Sequence, residues 1–168
     1  MIRYRISLDF DCLCSAVVDG AAARQKSVTE ACESIRSAVS AGNDVLCLAR
    51  VNTKDTLQRT REILDTHDLV PIKLQGYADS KRAVFQDFRP HVHLDCSHAD
   101  AMDAVYSHVP LVFFVTHEAP ASKHPSFCSI ASVGQAVTAF LQLSRTSAHS
   151  ALDALPTTLA KPASTIVS

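Results

Sequence analysis

The chain has 168 residues, 47% apolar and 20% charged with only 4 Gly, which suits one domain with a buried core and excludes disordered, collagen-like and fibrous classes. Sixteen Lys and Arg against 17 Asp and Glu leave a net charge of −1, and no basic block tracks along the chain, so nucleic-acid binding has no clear signal. The longest apolar run, Val109 to Val115, contains Pro110 and is far shorter than the roughly 20 residues a membrane helix needs, so no membrane partner is expected.

Short β-branched runs alternate with longer amphipathic stretches, the pattern of a parallel sheet covered by crossover helices. Met1 to Ile6 run directly into a strand pattern without an apolar signal core or cleavage site. An intracellular protein is therefore expected, cytoplasmic first, with an organelle left open. Strands are expected at Tyr4–Asp9, Val45–Arg50, Val70–Leu74, Val92–Asp95 and Leu111–Val115. Helices are expected over Ser27–Ala41, after a Thr53 cap, from Asp79-Ser80 towards Phe88, over Ala99–Tyr106 and over Ile130–Leu143. Residues 1–144 make the domain, and 145–168, rich in Ser, Thr, Ala and Pro, read as a tail that orders against a partner. Right-handed crossovers give a three-layer α/β sandwich with five parallel strands in the order 5-4-1-2-3 and a switch point between strands one and four. The six cysteines, Cys12, Cys14, Cys32, Cys47, Cys96 and Cys128, sit mostly in apolar patterns and are expected to be reduced thiols.

In such a sheet, ligands bind beyond the carboxyl ends of the strands. The first strand ends Asp9-Phe10-Asp11, and the fourth ends in Asp95, with Asp100 one helical turn further on. If strands one and four are neighbours, Asp9 and Asp95 meet at one rim and can share Mg²⁺ through oxygen ligands, with the Asp11 main-chain carbonyl as a third. His91, His93 and Asp95, spaced two apart, also invite a zinc reading, which the fold that uses such a motif would support only with many more strands.

Asp9-Phe10-Asp11 after an apolar strand, Lys81, the Arg89-Pro90-His91-Val92-His93-Leu94-Asp95 block and His108-Val109-Pro110 together make the chain resemble the haloacid dehalogenase-like (HAD) superfamily, and within it the cytosolic type I 5'-nucleotidases. The likeness runs from Arg5 to Leu111. It implies a Rossmann-like HAD-like fold in which Asp9 attacks a phosphate monoester, Asp11 serves as acid and then base, Lys81 neutralises the phosphoryl oxygens, and Asp95 helps to hold Mg²⁺. The implied substrate is a small phosphate ester such as a nucleoside monophosphate.

The chain departs from that pattern in three places. Leu48 stands where the family has a phosphate-binding Thr, leaving Asn52 or Thr53 to reach in, and Cys96 stands where it has a second Asp. The interval from Asp11 to Val45 leaves no room for a large cap. The expectation is a Mg²⁺-dependent phosphomonoester hydrolase with impaired turnover. Its alternative is an inactive HAD-like scaffold or binding subunit that docks through the tail into a larger assembly.

Overall fold

The computed structural model describes residues 3–14, 21–116 and 124–146. Six strands, β1 (Arg5–Asp9), β2 (Asp44–Arg50), β3 (Lys73–Tyr77), β4 (Val92–Asp95), β5 (Leu111–Val115) and β6 (Phe127–Ile130), form one sheet in the order β3-β2-β1-β4-β5-β6. Every pair is parallel. The five expected strands lie side by side, but a five-stranded sheet is incorrect, because β6 extends it beyond β5 with Phe113 opposite Cys128. Four residues at an edge are too few to show a period, and Ile130 was expected to open a helix instead.

The helices are α1 (Phe10–Cys14), α2 (Ala21–Ser40), α3 (Thr56–Thr66), α4 (Arg82–Phe88), α5 (His98–Tyr106) and α6 (Val133–Thr146). Two apolar clusters form on opposite faces of the sheet. One joins Ile35 of α2, Leu64 of α3 and Phe140 of α6 to Ile6 and Leu8; the other joins Phe85 of α4 and Ala101 of α5 to Leu46 and Leu48. Side chains alternate along a strand, so Leu8 and Ser7 serve different faces of β1, and this is what makes three layers. Gly42, at φ +85°, makes the turn from α2 into β2, a conformation that a Cβ would disfavour.

Two local expectations are corrected. The third strand is Lys73–Tyr77, not Val70–Leu74: Pro71 has no N–H for a ladder, and Val70 is left 66% exposed in the preceding turn. Thr53 does not cap α3; Asp55 holds that position without a side-chain bond, and the Thr53 hydroxyl lies 3.1 Å from that of Thr56. The helix expected from Ser27 starts earlier, at Ala21, and α6 carries the backbone to Thr146, past the expected boundary at 144. Residues 147–168 of the expected tail lie outside the described residues. Among the described residues, no helix is long and apolar enough to cross a membrane.

Candidate functional site

The carboxyl ends of β1 and β4 meet at the point where the chain changes from building the sheet in one direction to building it in the other. Leu8 lies opposite Leu94, so Asp9 and Asp95 end neighbouring strands, both almost completely buried. Lys81, fully buried at the start of α4, stands between them. Its Nζ is 2.7 Å from Asp9 Oδ2 and 3.3 Å from Asp100 Oδ2, and it is also hydrogen-bonded to Asp95 Oδ2. The residues on either side of Lys81 tie the start of α4 to α5: Ser80 Oγ donates to Asp103 Oδ2 at 3.0 Å, and Arg82 reaches Asp103 Oδ1 through Nε at 3.0 Å and Nη2 at 2.9 Å.

Each carboxylate is fixed by further donors. Asp9 Oδ1 accepts the Asp11 N–H at 2.9 Å, and Asp9 Oδ2 accepts the Tyr77 hydroxyl at 2.9 Å. Asp95 Oδ1 accepts the Ser97 N–H at 2.8 Å, while His93 Nε2 lies 3.0 Å from Asp95 Oδ2 and His93 Nδ1 lies 2.9 Å from Ser7 Oγ. Asp100 follows the Ser97 N-cap in the first turn of α5, which carries its carboxylate back over the strand ends to Arg50 Nη2 at 3.2 Å.

The electrostatics follow from these contacts. Burial opposes the Lys81 charge, but Asp95 and Asp9 outweigh it and raise the ammonium above its ordinary pKa. Burial alone would raise the Asp95 carboxyl, yet the hydrogen bond and charge of His93, with Lys81, bring it below the usual carboxylate range. The Asp11 carboxyl is raised, by desolvation first and then by Asp9, although its residue is exposed at the mouth of the site. The Tyr77 hydroxyl is raised by burial and by Asp9, so it remains a donor at neutral pH.

The structure therefore brings Asp9, Lys81 and Asp95 together, with Asp11 beside them. Among the described residues, the group of carboxylates able to share one cation is Asp9, Asp95 and Asp100, whose ligand atoms lie within 4.8 Å of one another. Asp100 supplies its third carboxylate. The position after Asp95 is thus of little consequence: Cys96 packs against the core, where the Cys12 thiol hydrogen-bonds it. Asn52 and Thr53 are exposed, and among the described residues no hydrogen bond joins either to Asp9, Lys81 or Asp95. Tyr77 was missed because the third strand was expected to end at Leu74. Asp100 was seen but not placed; its signal was Ser97 as a cap three residues before it.

The geometry also removes the support for zinc. His93 is bonded at both ring nitrogens, and His91 Nδ1 accepts the Arg5 N–H at 3.0 Å. Compared with known proteins, the chain matches no family model and no curated protein.

Proposed function

We propose that this chain is a slow Mg²⁺-dependent hydrolase of small phosphomonoesters such as nucleoside monophosphates, related to the HAD-like 5'-nucleotidases and lacking their large cap. The observation that supports this best is the convergence of Asp9, Asp95 and Asp100 on Lys81, with Asp11 just outside. Three carboxylates and no thiol or imidazole make an oxygen-only donor set, which fits a hard cation such as Mg²⁺. Bound by Asp9, Asp95 and Asp100, that ion would supply the charge neutralisation that brings two anions together.

Asp9 attacks phosphorus, forming an O–P bond as the bond to the leaving oxygen breaks. Lys81 and the Tyr77 hydroxyl hold Asp9 in one rotamer. Asp11, its carboxyl raised and therefore more often protonated than an ordinary aspartate, gives its proton to the leaving alkoxide. In the second half it takes a proton from water as that water attacks the aspartyl-phosphate, releasing phosphate and restoring Asp9.

Slowness follows from Leu48. Its side chain is fully buried in the apolar cluster under α4 and α5, so the end of β2 offers the phosphoryl group no hydroxyl. This same observation favours the second reading, an inactive scaffold in which Lys81 merely neutralises the carboxylates. A phosphatase screen with aryl phosphate and nucleoside monophosphates, with Mg²⁺ and with EDTA, separates the two. Turnover that needs Mg²⁺ and is lost in Asp9→Asn is the expected result.

A further inference from the structure

At the opposite edge of the sheet, the amino-terminal one, a cleft of about 440 Å³ opens between the starts of β1, β4 and β5 and the ends of α4 and α5. Arg5, Arg89, His91, Ser107 and His108 line it, and no Asp or Glu does. Arg5 begins β1 and Asp9 ends it, so this cleft is about 13 Å from the carboxylate cluster at roughly 3.3 Å per strand residue. Among the described residues, neither Arg5 nor Arg89 forms an ion pair.

The backbone delivers these donors in an unusual way. Arg89 and His108 follow α4 and α5 with φ of 49° and 59°, left-handed positions where Gly or Asn would be unstrained. Helix C-termini attract cations, which is the bland account of both residues. It does not account for the surplus. The terminal carbonyls already have partners: Arg89 N–H donates to Phe85 O, His108 N–H to Val105 O, and Val109 N–H to Ala104 O, while Arg89 Nε donates to Gln86 O at 3.3 Å, so it is the two Nη groups of Arg89 that are left over for the cleft. The Arg89 carbonyl takes Arg5 Nε at 2.7 Å, which fixes one guanidinium beside the backbone that presents the other. His91 accepts the Arg5 N–H at Nδ1, so its Nε2 carries the hydrogen and is a donor.

We propose that this cleft is a second binding site, taking the phosphate group of a small phosphorylated molecule. Two guanidinium forks with an imidazole N–H and the Ser107 hydroxyl offer more donors than a carboxylate accepts, and they suit the three terminal oxygens of a phosphomonoester. The volume exceeds what a bare phosphate fills and leaves room for the rest of a sugar-sized ligand.

The test is an amide NMR titration of the full chain with inorganic phosphate and with ribose 5-phosphate. Saturable shifts are expected at His91, Ser107 and His108, with ribose 5-phosphate bound at least as tightly as phosphate. Arg89→Gly removes a guanidinium while relieving the left-handed backbone, so it keeps the fold, and it should weaken binding about tenfold or more. His108→Gly and Arg5→Gln should weaken it also, and Asp9→Asn should leave it unchanged. Shifts confined to the Asp9 edge, loss of the His91 and Ser107 shifts in Asp9→Asn, or wild-type affinity in Arg89→Gly would each overturn the proposal.

Discussion

Tyr77 donates its hydroxyl to Asp9 Oδ2 over 2.9 Å, tying the end of β3 to the end of β1 across the intervening strand β2. The bond turns one carboxylate oxygen towards Lys81 and leaves the other to the Asp11 N–H. A hydrogen bond to a charged group contributes about 1.5–3 kcal/mol, so Tyr77→Phe should lose roughly that much stability, read from the urea midpoint at unchanged slope. In the proposed hydrolase the same variant should lower kcat more than it raises KM. An unshifted midpoint would show that the hydroxyl contributes nothing to holding Asp9.

Lys81 is the only cation in contact with both Asp9 and Asp95 among the described residues. Removing one partner of a buried charged group typically costs about 3–5 kcal/mol, because the remaining charges lose their compensation. Lys81→Met should therefore be strongly destabilised in EDTA and recover part of the loss as Mg²⁺ is added, measured as thermal midpoint against metal concentration. The wild type, whose carboxylates share the ammonium, should gain less from the metal. Equal gains in both would separate the carboxylate cluster from cation binding.

The pH dependence has a defined sign. The Asp95 carboxyl lies lower in the folded chain than in the unfolded one, so its stabilisation is present above the unfolded value, about 3.9, and is lost as pH falls through the folded value. Lys81 is shifted upward, so its contribution is complete below an unfolded value of about 10.4 and declines only as pH rises through the folded one. Asp11 is raised, which makes the folded chain bind that proton more tightly and offsets part of the loss on acidification. The thiols of Cys12, Cys14, Cys32, Cys47 and Cys128 are raised in the folded chain and withdraw stability as pH passes their unfolded value of about 8.5, while the lowered His91 imidazole withdraws it as pH falls below about 6.5. Stability should thus be nearly flat only from about pH 7 to 8, decline on both sides and fall furthest below about pH 4. Asp95→Asn should start lower at neutral pH and lose less on the acid side, which denaturation across that range reads directly.

Leu48 lies opposite Asp9 in the β1–β2 register, fully buried in the core beneath α4 and α5. Leu48→Thr should cost about 2–3 kcal/mol through lost burial and an added polar group. If the site turns over, the restored hydroxyl should raise kcat/KM by about tenfold or more, because one donor to the transferring phosphoryl group is worth that much or more. A loss of stability with no gain in rate would favour the scaffold reading.

How far the sequence was legible depended on local signals. β1, β4 and β5 are short, mostly buried runs, and with strands one and four as neighbours their ends bring Asp9 and Asp95 to one rim. β3, Lys-Leu-Gln-Gly-Tyr, has little strand propensity, and it forms because β2 offers an unpaired edge; the more apolar Val70 to Ile72 drew the expectation three residues early. Tyr77 was hidden by that slip. Asp100 was visible one turn beyond Asp95 but not placed, because a residue in the first turn of a helix is known to return to the strand end only once the cap is known, and Ser97 was its only signal. The Arg5–Arg89–His91 cleft belongs to segments far apart in sequence, and no spacing joins Arg5 to His91.

The central claim is that the Asp9–Asp95–Asp100 cluster with Lys81 cleaves a phosphate ester with the help of Mg²⁺. The most direct measurement is release of inorganic phosphate from a nucleoside monophosphate by the unmodified chain, run with Mg²⁺, with EDTA and alongside Asp9→Asn. The account predicts slow release that EDTA stops and Asp9→Asn abolishes. Release at the same rate in EDTA or in Asp9→Asn, or none above background with Mg²⁺, would contradict it.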